Sequence, residues 1–164
     1  MKIIVRKAEP RDSAGVCAIL NPIIRAGKQT VLDMEFTIEQ EENFIKNFST
    51  QGLFLVAELD GKILGLQTIE QFSTYTAAFN HVGIMGTYVQ NGFRRMGIGR
   101  KLFSKLCKLA PDLGYKKIFT YILADNIQSI NFYSKLGFRI VGTAYKQAFI
   151  KGRYIDEVIV EYFF

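Results

Sequence analysis

Three prolines, two cysteines and one histidine are all that the 164 residues contain of these types. So few prolines exclude a Pro-rich linker, and 14 glycines without a three-residue period exclude a collagen-like fibre. Cys17 and Cys107, with only His81 to join them, are too few for a zinc site, so no structural metal is expected. No apolar run approaches the ~18 residues of a membrane-spanning helix. The start, Met1-Lys2-Ile3-Ile4-Val5-Arg6, meets charge too soon for a signal peptide, so the expectation is a cytoplasmic chain with reduced thiols. What is present is ordinary: 49% hydrophobic and 22% charged residues, which excludes wholesale disorder. The length fits a single domain over residues 1–164.

Charge is localised. The chain carries +6, yet Arg94–Lys117 alone holds eight basic residues against Asp112, a local +7 that leaves −1 for the rest. An anionic partner is therefore expected at that segment, although a solvated helix face has the same composition.

Hydrophobic patterning gives the order β, α, α, three strands, α, β, α, β, β. Lys2–Lys7 reads as a strand, and Asp12 or Ser13 as the cap of a helix whose stripe is Val16, Ile19, Leu20, Ile23 and Ile24. Ala26–Glu35 reads as a loop. Thr37 and Gln40 resemble a capping box for a helix that turns Ile38, Phe44, Ile45 and Phe48 inward. Asp60-Gly61 joins two hydrophobic runs as a hairpin, and His81–Val89 returns as a strand weakened by Gly83 and Gly86. A helix from Gly97 repeats Ile98, Leu102, Leu106, Leu109 and Leu113, with Pro111 ending it. Lys117–Ala124 is a strand, and Asp125 or Asn126 caps a helix stopped by Gly137. Phe138–Gly142 and Ala148–Phe164 are expected as separate final strands, with a turn at Lys151-Gly152-Arg153. The whole is a mixed α/β domain.

Two segments carry chemistry. Arg94-Arg95-Met96-Gly97-Ile98-Gly99 follows a strand and opens a helix, where glycines permit close backbone approach and the first helical N–H groups face an anion. Arg94 and Arg95 add donors suited to phosphate. The spacing is neither the dinucleotide-binding G-x-G-x-x-G nor a Walker loop. About 30 residues on, Asn126-Ile127-Gln128-Ser129-Ile130-Asn131-Phe132-Tyr133-Ser134-Lys135-Leu136-Gly137-Phe138 forms a strand exit, helix and glycine stop.

Together these segments resemble the GNAT superfamily of acetyl-CoA-dependent N-acetyltransferases, whose pyrophosphate loop reads Gln/Arg-x-x-Gly-x-Gly/Ala. The second segment is similar to that family's Asn-x-x-Ser/Ala-x-x-Phe-Tyr-x-Lys-x-Gly-Phe pattern. The resemblance implies a central sheet of six to seven strands with about four helices, splayed where acetyl-CoA binds. It implies that Thr87, Tyr88 and Val89 pair by backbone with the pantetheine arm, as an added strand does. It further implies that Arg94, Arg95, Met96, Gly97, Ile98, Gly99 and Arg100 cradle the pyrophosphate, with Asn126 and Asn131 along the cofactor. Tyr133 matches the tyrosine beside the CoA sulfur that acts as general acid. Val16–Ile24 with Thr30 and Phe36, Gly142 and Lys151-Gly152-Arg153-Tyr154 are similar to the phosphinothricin-type and amino-acid N-acetyltransferase branch. Relatives often form homodimers.

One departure matters for mechanism. Many relatives place a glutamate a few residues before the Tyr-Val pair, where this chain has Ile84. Glu70 and His81 are the remaining base candidates, each also readable as an ordinary strand-end residue. The expected reaction is direct transfer of acetyl to a primary amine of a small amino-acid-like or antibiotic-like acceptor, with a peptide or protein amine as the alternative. Two other classes are an acetyl-CoA sensor without turnover and a nucleic-acid binder. The latter is disfavoured because aromatic residues do not interleave the basic ones; neither nucleic acid nor membrane is an expected partner.

Overall fold

The computed structural model describes residues 2–164. Its apolar runs become seven strands, β1 (Ile4–Lys7), β2 (Leu53–Leu59), β3 (Lys62–Gln71), β4 (Val82–Val89), β5 (Lys117–Leu123), β6 (Arg139–Ile150) and β7 (Arg153–Phe163). The three-and-four repeats become α1 (Ser13–Ala26), α2 (Ile38–Lys46), α3 (Ile98–Leu109) and α4 (Ile127–Lys135). All strands lie in one sheet of order β1-β2-β3-β4-β5-β7-β6. Among the described residues no helix is long and apolar enough to cross a membrane.

Strand alternation divides the core between the two sheet faces. Leu53 and Leu55 of β2 point toward Leu102, Leu106 and Tyr133 of α3 and α4, whereas Phe54 and Val56 pack with Val16, Leu20 and Ile45 of α1 and α2. The expected α1 stripe is buried throughout. Arg6 bonds both carboxylate oxygens of Asp12, at 2.6 and 2.8 Å, and also Glu58, fixing β1 and β2 to the start of α1. Asp12 thus serves this ion pair and accepts the Glu9 N–H instead of capping α1 through its side chain.

Thr37 and Gln40 form the expected capping box at α2. Inward packing of that helix is narrower than the pattern suggested. Ile45 is buried, but Ile38 and Phe44 are 53% and 47% exposed. The helix lies at the edge of the fold and turns Phe44 toward a cavity instead of the core. The last two strands also differ from expectation. β6 continues through residues 143–147 as a bulge, its pairing jumping from Ala144↔Glu157 to Ala148↔Ile155. Lys146 takes φ +52° there, and its N–H bonds Asp156 at 2.7 Å. The expected turn joins the strands, with Lys151 and Gly152 both at positive φ, as a two-residue hairpin requires.

The feature that positions the site is a failure of pairing. β4 and β5 run parallel but are registered only at Val82↔Lys117 and Gly83↔Ile118. Beyond Gly83 they separate, bridged by the Thr120 hydroxyl on the Met85 carbonyl at 2.9 Å. β4 remains fully paired with β3 on its other side, from Gln71↔Gly83 to Gly65↔Val89.

Candidate active site

Strand geometry determines what this gap exposes. Val82 and Gln90 bond backbone to backbone with Phe72 and Leu64 on the β3 side. Backbone groups alternate in direction, so Met85, Thr87 and Val89 turn theirs toward the gap. Arg94 Nε takes the Val89 carbonyl at 3.4 Å and Thr120 takes that of Met85, while the N–H groups of Thr87 and Val89 have no strand to bond.

At the C-terminal end of β4 the chain enters the basic turn. Arg95 and Gly97 adopt φ +64° and +78° before α3 begins. Gly97 is the N-cap and has no side chain to satisfy the first helical amides; the backbone ladder starts with Lys101 N–H on the Gly97 carbonyl at 3.0 Å. The amides of Ile98, Gly99 and Arg100 are thereby left for an external acceptor, with the helix dipole behind them. Arg95, Met96, Gly97 and Arg100 are exposed, and Ile98 and Gly99 are buried. Two details differ from the expected cradle. Arg94 is half-buried, and its guanidinium bonds Gln29 at 2.7 Å, tying the turn to the loop after α1. A Cβ on Gly99 would lie 2.7 Å from the Phe132 ring, so packing of α3 on α4 dictates that glycine as much as ligand approach does.

α4 delivers Tyr133 to one side of β4. Asn126 caps the helix by accepting the Ser129 N–H at 3.2 Å, and Asn131 is exposed on its surface. The Tyr133 hydroxyl donates to Thr87 Oγ1 at 3.4 Å, and Gln67 Nε2 donates to the same oxygen at 2.8 Å. Burial pushes the phenol up to about 12, only partly offset by the Thr87 hydrogen bond. Tyr133 therefore remains protonated across the physiological range and always has a proton to donate. Gln67 is completely buried and its Oε1 has no partner. Its only mark in the sequence is that of a polar residue in an apolar strand.

On the other side of β4 lies a cavity of about 410 Å³. Its walls are Leu20 of α1, Leu32 and Phe36 of the following loop, Phe44 of α2, and Phe54 and Leu66 of the sheet. Thr68 and Glu70 of β3, with Gly86 and Tyr88 of β4, make its floor. The absence of a side chain at Gly86 opens that floor onto the β4 backbone at the gap. Gly83 has a different reason, since a Cβ there would lie 2.5 Å from Ile69. The Tyr88 hydroxyl lies 3.2 Å from Thr30 Oγ1, anchoring the loop that covers the cavity.

Two carboxylates enter the cavity, Glu70 and Glu41. Burial raises both above the ordinary carboxylate range. Glu70 is registered directly across from Ile84, so it presents an acid on the same face and beside the position where the relatives' glutamate was expected. Glu41 was missed by the sequence reading. The available signal was its phase, since it falls four residues before Ile45 and seven before Phe48 on the buried stripe of α2. His81 is exposed at the start of β4, about 16 Å of strand from Gly86, and the fold does not bring it to the cavity.

A model of the acetyltransferase (GNAT) domain matches residues 5–159. The chain belongs to the GNAT acetyltransferase family. It is thereby an acetyl-CoA-dependent N-acetyltransferase. It is 30% identical over 157 residues to the L-amino acid N-acetyltransferase AaaT of Escherichia coli, covering 94% of each chain. It is 24% identical over 152 residues to the phosphinothricin N-acetyltransferase of Streptomyces viridochromogenes, covering 93% of this chain and 82% of that one. The structure of yncA from Salmonella typhimurium with its cofactor acetyl-CoA superposes with a TM-score of 0.91 over 99% of this chain and 94% of that one, at 21% identity. The free amides at the start of α3 and the unpaired edge of β4 fit the GNAT cosubstrate, one offering donors to a diphosphate and the other a strand edge to an amide-containing arm.

Proposed function

We propose that this GNAT domain, folding as one unit, acetylates the primary amine of a small acceptor held in the cavity beside Gly86, with Glu70 as general base and Tyr133 as general acid. The observation that carries the reading is the gap between β4 and β5. It has a protonated tyrosine on one side of β4 and a carboxylate-bearing cavity on the other. Acetyl-CoA supplies the activated acetyl group; its pyrophosphate would rest on the amides of Ile98, Gly99 and Arg100, with Arg95 and Met96 at the turn's surface. Asn126 and Asn131 flank the arm from the α4 side.

In this reading Glu70 takes the proton that the ammonium must lose before nitrogen attacks the acetyl carbon. One N–H on the open edge of β4, that of Thr87, would bond the acetyl oxygen as it gains charge, a contribution of roughly 3–4 kcal/mol for such a donor, while the Val89 N–H pairs with the pantetheine arm. A C–N bond forms, the C–S bond breaks, and the Tyr133 hydroxyl gives its proton to the departing sulfur. Thr87, held by Gln67, fixes the position of that hydroxyl beside β4, and the proton turns from Thr87 Oγ1 to the sulfur as the thiolate leaves. The cavity volume of about 410 Å³ favours a small acceptor over a protein amine. The cytoplasmic location expected from the sequence and the homodimer expected from the family remain part of this proposal.

Tyr133→Phe and Glu70→Gln test the assignment. Each should lower kcat by about 10²–10⁴-fold with acetyl-CoA affinity nearly unchanged, as measured by thiol release and by calorimetry. A kcat within threefold of the parent for Tyr133→Phe, with chemistry limiting, would assign sulfur protonation to water. A wild-type profile in Glu70→Gln would assign the base to water as well.

A further inference from the structure

The cavity charges are all of one sign. Among the described residues Glu41 and Glu70 are its only ionisable ones besides the tyrosine, and no lysine, arginine or histidine lines it. Glu41 is 3% exposed, and its carboxylate accepts no hydrogen bond and forms no ion pair among the described residues. Neighbouring acids of the same fold do find partners: Asp12 and Glu58 bond Arg6, and Glu35 bonds Arg25. A buried acid without a partner is costly unless something arrives to pair with it. The rest of the lining is mainly apolar, from Leu20, Leu32, Phe36, Phe44, Phe54 and Leu66 with Gln40 and Thr68 as neutral polar members, which matches a hydrocarbon or aryl body.

We propose that the acceptor is a hydrophobic amine that carries no carboxylate and presents a second protonated nitrogen to Glu41. This deepens the acetyl-transfer reading and rests on it. The two acids sit on different walls, Glu70 on β3 next to the Thr68↔Gly86 pair and Glu41 on α2. Glu70 therefore serves the nitrogen being acetylated, and Glu41 holds the other end of the acceptor. An α-amino acid would bring its own carboxylate into a cavity that already holds two, with no cation to receive it. The inference thus separates this chain from relatives whose names specify L-amino acids or phosphinothricin.

Two matched pairs of acceptors test it: phenethylamine against phenylalanine, and p-xylylenediamine against benzylamine. Thiol release should give kcat/KM at least tenfold higher for phenethylamine than for phenylalanine, and at least tenfold higher for p-xylylenediamine than for benzylamine. In Glu41→Gln, which keeps the side-chain shape, the ratio of diamine to monoamine should fall to about one. Phenylalanine used as well as phenethylamine, or a diamine preference unchanged in Glu41→Gln, would overturn the proposal. Calorimetric binding of p-xylylenediamine and benzylamine to both proteins reads the same ratio without turnover. A Glu41-dependent diamine preference in binding, with no thiol release from any amine, would sustain the subsite and overturn the acetyl-transfer reading instead. Equal binding of both amines would remove the subsite.

Discussion

A carboxylate as enclosed and unpartnered as Glu41 sets function against stability, and the sign of the conflict can be measured. Burial raises its pKa in the folded protein, so the folded state holds that proton more tightly than the unfolded chain does. The stability associated with the neutral acid is complete below the unfolded value of about 4.3 and is lost as pH rises through the raised folded value. Glu41→Gln removes the titration while preserving shape. Its melting temperature should therefore exceed that of the parent at pH 8 and approach it near pH 4. Glu70, also raised by burial, contributes the same trend and remains in both proteins, so the difference between them isolates Glu41. A variant less stable than the parent at pH 8 would mean that Glu41 has a structural partner in the free protein. Residues of this kind resist recognition in a sequence. Five polar residues in a row, Glu39-Gln40-Glu41-Glu42-Asn43, read as a solvated helix face, and only the helical phase relative to Ile45 distinguishes the third.

At the scale of elements, the glycines around α3 look alike in sequence and differ in cause. Gly97 sits at φ +78° with open space where a Cβ would be, so Gly97→Ala should cost about 1–2 kcal/mol through the left-handed conformation alone. Gly99 has no such backbone constraint, but its Cβ would meet the Phe132 ring at 2.7 Å. Gly99→Ala should therefore destabilise by about 1–3 kcal/mol through overpacking, even though alanine favours the helix by about 1 kcal/mol. In a Phe132→Leu background the contact is relieved, and the same substitution should become neutral or stabilising. Chemical denaturation of the four proteins gives the cycle; an equal cost of Gly99→Ala in both backgrounds would deny the α3–α4 contact. Element order, the two helix stripes, both hairpin turns and the capping box were legible because each is local in sequence. The β6 bulge was not, because the Asp156 carboxylate that holds Lys146 comes from the opposite strand. Nor was the engagement of Arg94 with Gln29, which lies 65 residues away along the chain. The position of Glu70 beside Ile84 depends on the β3–β4 register, which hairpin patterning suggests but only pairing fixes.

Over the whole molecule the charge is divided by position. The basic excess of Arg94–Lys117 runs from the turn along α3, where Arg100, Lys101, Lys105 and Lys108 are exposed, while the cavity on the opposite face of the sheet is acidic. The two substrates thus meet fields of opposite sign at opposite faces, the anionic cosubstrate at the start of α3 and the cationic acceptor between α1 and α2. Screening distinguishes them. The α3 cations face solvent, so added salt should weaken acetyl-CoA binding, with Kd rising about threefold to tenfold between 0.05 and 0.5 M sodium chloride. The Glu41 side chain lies within the cavity and not on the open surface, so the diamine-to-monoamine binding ratio should change by less than about twofold over the same range. Titration calorimetry at several ionic strengths measures both. An acetyl-CoA affinity insensitive to salt would assign the phosphates to backbone amides alone and leave the basic face of α3 without a part in binding. A diamine preference that collapsed with salt would put the second nitrogen at the cavity mouth, in contact with water and away from Glu41.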